Sequence, residues 1–181
     1  PFSKSFGSIG GFVAGEKPVL DYVQHHARSL IFSASMAPPQ VAAVVAALTI
    51  MEEEPWRATR MREITEKMIN GFRGLGFNVG VAETPIIPLI IGDDKKTFMF
   101  WKAMFDMGVY TNPVISPAVP PNRALIRTSF MAIHTDEDLD QVLEIAGEAG
   151  RKTGVIEAGA SVGGSCASRS SDLNTERDLA T

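Results

Sequence analysis

The strongest constraint on the fold of this chain lies between residues 84 and 156, where strand and helix patterns alternate. Pro85 to Ile91 is an isoleucine-rich run that predicts a buried strand. Thr97 is expected to cap the helix that follows, and Thr135 resembles the start of a capping box at a second helix. Two further strands are expected between these helices, over residues 109–112 and 125–129. Strand, helix, strand, strand and helix together predict a compact α/β unit.

Helical patterns dominate the residues before this unit. A helix is expected to begin near Pro18 and to run toward Leu30, before residues 33–39 break it. Residues 40–51 are apolar on every side, which predicts a helix buried in a core. Residues 56–72 keep helical spacing and predict a long connecting helix. Residues 1–15 alternate small and apolar residues, which predicts a tight loop that leads into a short buried strand.

Composition and charge narrow the classes of function. The formal net charge of -4 and the lack of a basic stripe argue against nucleic acid as a partner. The longest nearly apolar run, Val41 to Met51, is far shorter than the roughly 20 residues that a membrane helix needs, so no membrane span is expected. The single cysteine, Cys166, cannot form an internal disulfide, which fits the cytoplasm. Residues 157–181 are rich in small and polar residues and are expected to be a disordered tail.

The sharpest chemical feature is a lysine near the start of the chain. Lys4 lies in the segment FSKSFGSIGG, among small hydroxyl residues and glycines and between Phe2 and Phe6. A partly desolvated lysine has a lowered pKa and can form a Schiff base with an aldehyde cofactor. Nearby serines and glycines leave room and donors for a phosphate group. From spacing alone, a merely solvated lysine fits the same pattern, and both interpretations stay open at this point.

Arg127 and the adjacent His25 and His26 are the other candidates for chemistry. Arg127 sits between apolar residues on a predicted strand, where an arginine either pairs with a buried acid or forks onto a ligand carboxylate. The side chains of His25 and His26 point apart on a helix, and no second pair of ligands follows them. A surface or packing role is therefore favoured for the histidines, and no metal is expected.

Several segments together resemble one enzyme family. The string FSKSFG, followed by GGFV, resembles the cofactor-lysine segment of the α-oxoamine synthases, which use pyridoxal phosphate. Later segments resemble the same family in the same order: IFSAS at 31–35, YTNP at 110–113, PAVPP at 117–121 and LIRTS at 125–129. The resemblance runs from Phe2 to about Ile156 and is more specific than any single motif.

This resemblance implies a fold-type I, aspartate-aminotransferase-like α/β enzyme that acts as a homodimer with pyridoxal 5'-phosphate. Lys4 would hold the cofactor as a Schiff base and would then move protons as acid and base. A hydroxyl of Ser33 or Ser35 would reach the cofactor phosphate of the neighbouring subunit, and Arg127 would bind the substrate carboxylate. As an acyltransferase, the enzyme would condense serine, glycine or alanine with an acyl-CoA to give an α-oxoamine.

The family pattern also shows where this chain departs from it. Members usually carry threonine three residues before the lysine, where its hydroxyl binds phosphate, whereas this chain has Pro1, which has no side-chain donor. The family's glycine-rich phosphate loop, ring-stacking histidine and ring-nitrogen aspartate precede the lysine, so we expect an inactive C-terminal fragment. Its expected parts are the end of the large domain (1–55), a connecting helix (56–83), a small α/β domain (84–156) and the tail (157–181). The alternative is a non-catalytic α/β interaction module, or a dimer partner that keeps the fold.

Overall fold

The structure is a computed structural model that describes residues 1–157 of the chain. It divides into two compact units, of which the first is Pro1–Glu63 and the second begins at Ile64. Apart from Glu157, the segment expected to form a disordered tail lies outside the described residues.

The first unit consists of a long loop followed by helices. Helix α1 spans Lys17–His26, α2 spans Arg28–Ile31 and α3 spans Pro38–Glu53. Pro18 lies in the first turn of α1, as the sequence predicts, because the N–H that proline lacks has no helical partner there. The helix that was expected to run toward Leu30 is interrupted at Ala27, whose extended backbone separates α1 from α2.

Residues 1–16 form a loop, and the strand predicted within it is absent. Gly7 and Gly10 have φ angles of +58° and +92°, left-handed values that end an extended run. The Phe2 N–H donates to the Gly10 carbonyl at 2.9 Å, so the segment closes on itself. The strand prediction was wrong because Gly7 and Gly10 turn the backbone, and no strand formed by the described residues pairs with the segment after them.

Helix α3 forms where the apolar run predicts it, but none of its residues is buried. Apolar side chains cover its whole circumference, and several are about half exposed, among them Val41, Val45, Leu48 and Met51. The prediction of a helix is confirmed and the prediction of burial was wrong for this chain. The reason is that no layer formed by the described residues covers these side chains.

The second unit is built on a three-stranded antiparallel sheet. Strand β1 spans Ile86–Gly92, β2 spans Asn112–Val114 and β3 spans Ala124–Ser129, in the spatial order β1-β3-β2. Arg127 on the central strand lies opposite Pro88 on β1 and Asn112 on β2. Because successive side chains of a strand alternate between faces, Arg127 and Asn112 belong to one face and Thr128 to the other.

Two helices, and the residues of a third from Ile64 onward, complete this unit and bury its core. Helix α4 spans Trp56–Gly74, α5 spans Asp94–Asp106 and α6 spans Asp136–Thr153. All buried residues of α4 lie from Ile64 onward, at the spacing that the sequence predicts. Helices and strands share one apolar core, whose fully enclosed members include Ile64, Met68, Phe72, Ile87, Leu89, Phe100, Met104, Ile126 and Leu139.

The strand expected at residues 109–112 begins only at Asn112. The N–H groups of Met107 and Val109 donate to the Met104 carbonyl at 3.2 and 2.9 Å, so these residues complete the C-terminal turn of α5. Gly108 has a φ of +95°, which that turn requires. The β-branched Val109 favours a strand, but its backbone N–H bonds to the C-terminal turn of α5 instead.

The N-termini of α5 and α6 are capped in two different ways. At α6, the Thr135 hydroxyl accepts from the Asp138 N–H at 3.2 Å and the Asp138 carboxylate accepts from the Thr135 N–H at 3.0 Å, which confirms the predicted capping box. At α5 the cap is Asp93, which accepts from the Lys96 N–H at 2.7 Å, and not Thr97. Thr97 lies inside the helix, where its hydroxyl donates to the Asp93 carbonyl at 2.7 Å.

Helix α6 comes very close to the core at Gly150. A Cβ atom at Gly150 would lie 2.8 Å from Cζ of Phe77 and 3.0 Å from Cγ1 of Ile156, and both side chains are buried. Gly74, at the end of α4, has no atom within 4 Å of the same position. Packing therefore limits the side chain at residue 150 but not at residue 74.

We expect Gly150→Ala to lower the free energy of unfolding by about 1–3 kcal/mol, because the core must shift to admit the methyl group. Gly74→Ala is the matched control and should leave stability unchanged or raise it by up to about 1 kcal/mol, since alanine favours a helix. Urea denaturation followed by circular dichroism measures both variants. Equal effects at the two positions would contradict the close packing at Gly150.

Candidate active site

Lys4 lies on a tight turn at the surface of the first unit. The Gly7 N–H donates to the Lys4 carbonyl at 3.0 Å, which closes the turn. The side chains of Ser3, Lys4 and Ser5 are exposed. Within residues 1–157 the Lys4 amine has no hydrogen-bond or ion-pair partner. The turn therefore presents an amine that is not engaged in a salt bridge, between two serine hydroxyls.

Phe2 holds this turn from behind. It is buried, at 9% exposure, and no other residue of the first unit is buried. Its ring stacks on Phe12 with centroids 5.7 Å apart and meets Phe6 edge-on at 5.3 Å. Its carbonyl accepts from the Ser8 N–H at 3.0 Å. Aromatic packing and backbone hydrogen bonds thus fix both ends of the loop that carries Lys4.

Ser33 and Ser35 lie in the bend between α2 and α3, and both are exposed. Met36, which follows them, packs on the glycine segment after the lysine loop, because a Cβ atom at Gly10 would lie 2.5 Å from the Met36 sulfur. The bend therefore runs beside the lysine loop. No hydrogen bond between Lys4 and either serine is present in the described part of the chain.

A cavity of about 840 Å³ also lies in the first unit. Its walls are mainly apolar and include Pro1, Phe12, Val13, Leu20 and Ile31. Lys4, Ser33 and Ser35 do not line it. This cavity therefore does not lie at the Lys4 amine or at the two serine hydroxyls.

Arg127 lies on the central strand of the second unit, with its side chain exposed. No carboxylate among residues 1–157 forms an ion pair with it. The structural salt bridge, one of the two roles that the sequence leaves open, is therefore not formed within residues 1–157. A guanidinium that is already exposed and unpaired has both of its donor edges available for a ligand.

A cavity of about 470 Å³ lies beside Arg127. Its lining combines apolar residues of α6 and of the α5 end with polar residues of the strands, among them Thr111, Asn112, Arg127, His134 and Asp138. Thr111 is only 5% exposed, and its hydroxyl has no hydrogen-bond partner in the described chain. Its carbonyl accepts from the Trp101 ring N–H at 3.0 Å, which fixes the position of this residue.

The polar groups near this cavity also serve the fold. The N–H of Thr135 holds the pKa of the Asp138 carboxyl below its usual value, and the hydroxyl of the same residue adds to the effect. His134 Nδ1 accepts from the Met131 N–H at 3.2 Å. These contacts stabilise the start of α6 beside the cavity.

His25 and His26 each bond to their own helix. The two Nδ1 atoms lie 2.6 Å from the Asp21 carbonyl and 2.9 Å from the Tyr22 carbonyl, and the His26 ring stacks on Tyr22 with centroids 4.1 Å apart. Among residues 1–157, no group of three or more His, Cys, Asp and Glu side chains is arranged to hold a metal ion. No helix in this range is both long and apolar enough to cross a membrane.

The chain matches the family model of aminotransferase class I and II over residues 1–145. It is 49% identical over 148 residues to a serine palmitoyltransferase of Bacteriovorax stolpii, a match that covers 82% of this chain and 35% of that relative. It is 38% identical over 154 residues to an 8-amino-7-oxononanoate synthase of Thermosipho melanesiensis, covering 85% of this chain and 39% of the relative. The chain therefore spans less than two fifths of the length of these curated relatives.

Solved structures agree with these relatives. A serine palmitoyltransferase (SPT) structure with PLP superposes with a TM-score of 0.80 at 32% identity, over 86% of this chain and 39% of that one. Pyridoxal 5'-phosphate is the cofactor that these comparisons indicate. The α/β fold is that of the fold-type I PLP-dependent transferases, as the family resemblance implies. The chain belongs to the aminotransferase class I and II family and, within it, to the α-oxoamine synthases, of which it covers the part described above.

Proposed function

We propose that this chain forms the C-terminal part of a PLP-dependent acyltransferase that condenses serine, glycine or alanine with an acyl-CoA to give an α-oxoamine. The observation that carries the proposal is the Lys4 turn, which presents an unpaired amine between the exposed hydroxyls of Ser3 and Ser5. The relatives named serine palmitoyltransferase and 8-amino-7-oxononanoate synthase support this class of reaction.

The residues of the first unit fit such a cofactor. The Lys4 amine is available to bond to an aldehyde, and the small side chains around it leave space for a planar ring. The cofactor supplies the electron sink that lets a bond to the substrate's α-carbon break. Lys4 would hold the cofactor and then carry a proton to or from that carbon. Ser33 and Ser35 would donate hydroxyls to the phosphate of the cofactor in the partner subunit of a homodimer.

Arg127 would bind the carboxylate of the amino acid. Its guanidinium is exposed and has no carboxylate partner in the described chain, so binding a substrate would not first require an internal ion pair to break. The cavity beside it, with the hydroxyl of Thr111 and the apolar residues of α6, would bound the space for the substrate.

The same proposal covers domains and location. Residues 1–55 would end the cofactor domain, residues 56–83 would connect it to the small α/β domain at 84–156, and nucleic acid would have no part in the function. We place the protein in the cytoplasm, a reducing compartment that fits the single cysteine of these 181 residues, Cys166.

We expect borohydride reduction of the complete holoprotein, followed by peptide mapping, to place the cofactor on Lys4. Lys17 and Lys67 are internal controls because Lys17 is ion-paired with Asp21 at 2.7 Å, and the hydrogen bond from Lys67 to Asp140 raises the pKa of Lys67. The raised pKa of Lys67 leaves less of its free amine to react. Label on either of these lysines, with Lys4 unmodified, would show that the assignment is wrong.

Arg127→Lys in the complete protein should raise the KM for the amino acid by roughly 10-fold or more, because lysine keeps the charge but loses the two-pronged contact that Arg makes with a carboxylate. The KM for acyl-CoA should not change. Arg123→Lys is the matched control, since Arg123 is exposed and does not line the cavity. Unchanged saturation by the amino acid in a folded Arg127→Lys protein would reject the role of Arg127.

The 181-residue chain expressed alone should neither retain PLP in a 1:1 ratio nor release CoA when given an amino acid and an acyl-CoA. The Lys4 side chain and its two serine neighbours are exposed in this chain, whereas orientation and electronic tuning are what a protein contributes to such catalysis. Dialysis after loading, the visible spectrum and a thiol assay measure both properties. Retained absorbance with amino-acid-dependent CoA release would contradict the expectation. Inactivity of the complete protein as well would favour a non-catalytic partner.

A further inference from the structure

We propose that Ser8 is a positioning residue for Lys4, which acts through its hydrogen bond to the first turn of α3. The Ser8 hydroxyl donates to the backbone carbonyl of Gln40 at 3.1 Å and so joins residues 32 positions apart in the sequence. The proposal rests on the proposed function of Lys4 as the residue that holds the cofactor.

Ser8 is tied down at two points. Its N–H donates to the Phe2 carbonyl at 3.0 Å, within the loop, and its hydroxyl reaches α3, outside the loop. Both groups of one residue are therefore engaged with parts of the chain that lie on either side of the Lys4 turn. Ser8 therefore connects the loop that carries Lys4 to helix α3.

The turn that carries Lys4 depends on this link because it has few other supports. The turn ends at Gly7, directly before Ser8, and a Cβ atom at Gly7 would have no neighbour within 4 Å. Ser3, Lys4 and Ser5 are all exposed. Contacts of Phe2 therefore hold one end of the turn, and contacts of Ser8 hold the other. Loss of either set of contacts would let the Lys4 amine move.

The acceptor in this contact is a backbone atom, which gives the proposal a sharp control. Only the backbone carbonyl of Gln40 accepts from Ser8. The side-chain amide oxygen of Gln40 is shielded from solvent and has no hydrogen-bond donor in the described chain. Substitution of the Gln40 side chain therefore leaves the acceptor in place. Removing the unpaired oxygen should not weaken the link to Ser8.

The test compares Ser8→Ala, Ser8→Thr and Gln40→Leu in the complete protein loaded with PLP. Ser8→Ala should release the cofactor about 3- to 10-fold faster, as expected from the loss of one hydrogen bond, and should shift the pH midpoint of the bound cofactor's visible band. Ser8→Thr keeps the hydroxyl, and Gln40→Leu keeps the carbonyl, so both should match the parent. If Ser8→Ala does not fold, Ser8→Cys, whose thiol is a weaker donor, takes its place and should show a smaller effect in the same direction.

Two outcomes would overturn the positioning role. One is a Ser8→Ala protein (or the Ser8→Cys protein used in its place) with the release rate and pH midpoint of the parent, and the other is a Gln40→Leu protein as impaired as Ser8→Ala. Borohydride mapping of each variant separates this failure from that of the proposed function. Label on Lys4 in every variant, with equal release rates, rejects only the role of Ser8. Absence of label from Lys4 in the parent rejects both proposals.

Discussion

Pairing of β3 with strands on both of its edges determines the arrangement of the second unit. A central strand has no free edge, so its register is fixed from two sides and its side chains cannot slip to the opposite face. Ile126 and Thr128 are held in the interior, and Arg127 between them is held outside. The exposed cation is thus a consequence of the core that its two neighbours build.

Features encoded by neighbouring residues could be predicted from the sequence, and features that need distant residues could not. The α6 capping box, the position of Pro18 and the apolar run of β1 depend on contacts within a few residues, and the structure has all three. The cap of α5 was assigned to Thr97 because threonine and aspartate compete for the same role, and Asp93 takes it. The prediction that α3 is buried was wrong because an apolar sequence indicates that a helix packs against other elements but does not identify those elements.

The candidate site divides in the same way. The segment around Lys4 is conspicuous in the sequence because its glycines, serines and aromatic residues are contiguous. Ser8 lies within that segment, yet its partner Gln40 is 32 residues away, and no local pattern indicates the contact. The hydroxyl of Thr111, which has no hydrogen-bond partner within residues 1–157, likewise cannot be recognised in the sequence, since its burial depends on the tertiary structure.

Adjacent residues of β3 point to opposite faces of the sheet, so substitutions at neighbouring positions have different consequences. Changes at Ile126 or Thr128 alter the core and are filtered by whether the protein folds, since a cavity or an unpaired buried hydroxyl costs stability. The Arg127 side chain is exposed, so a change there leaves the buried side chains on either side of it in place. Under the proposed role of Arg127, a lineage could exchange one ligand for another at this strand while the packing stays constant, because one scaffold can carry different functional sites.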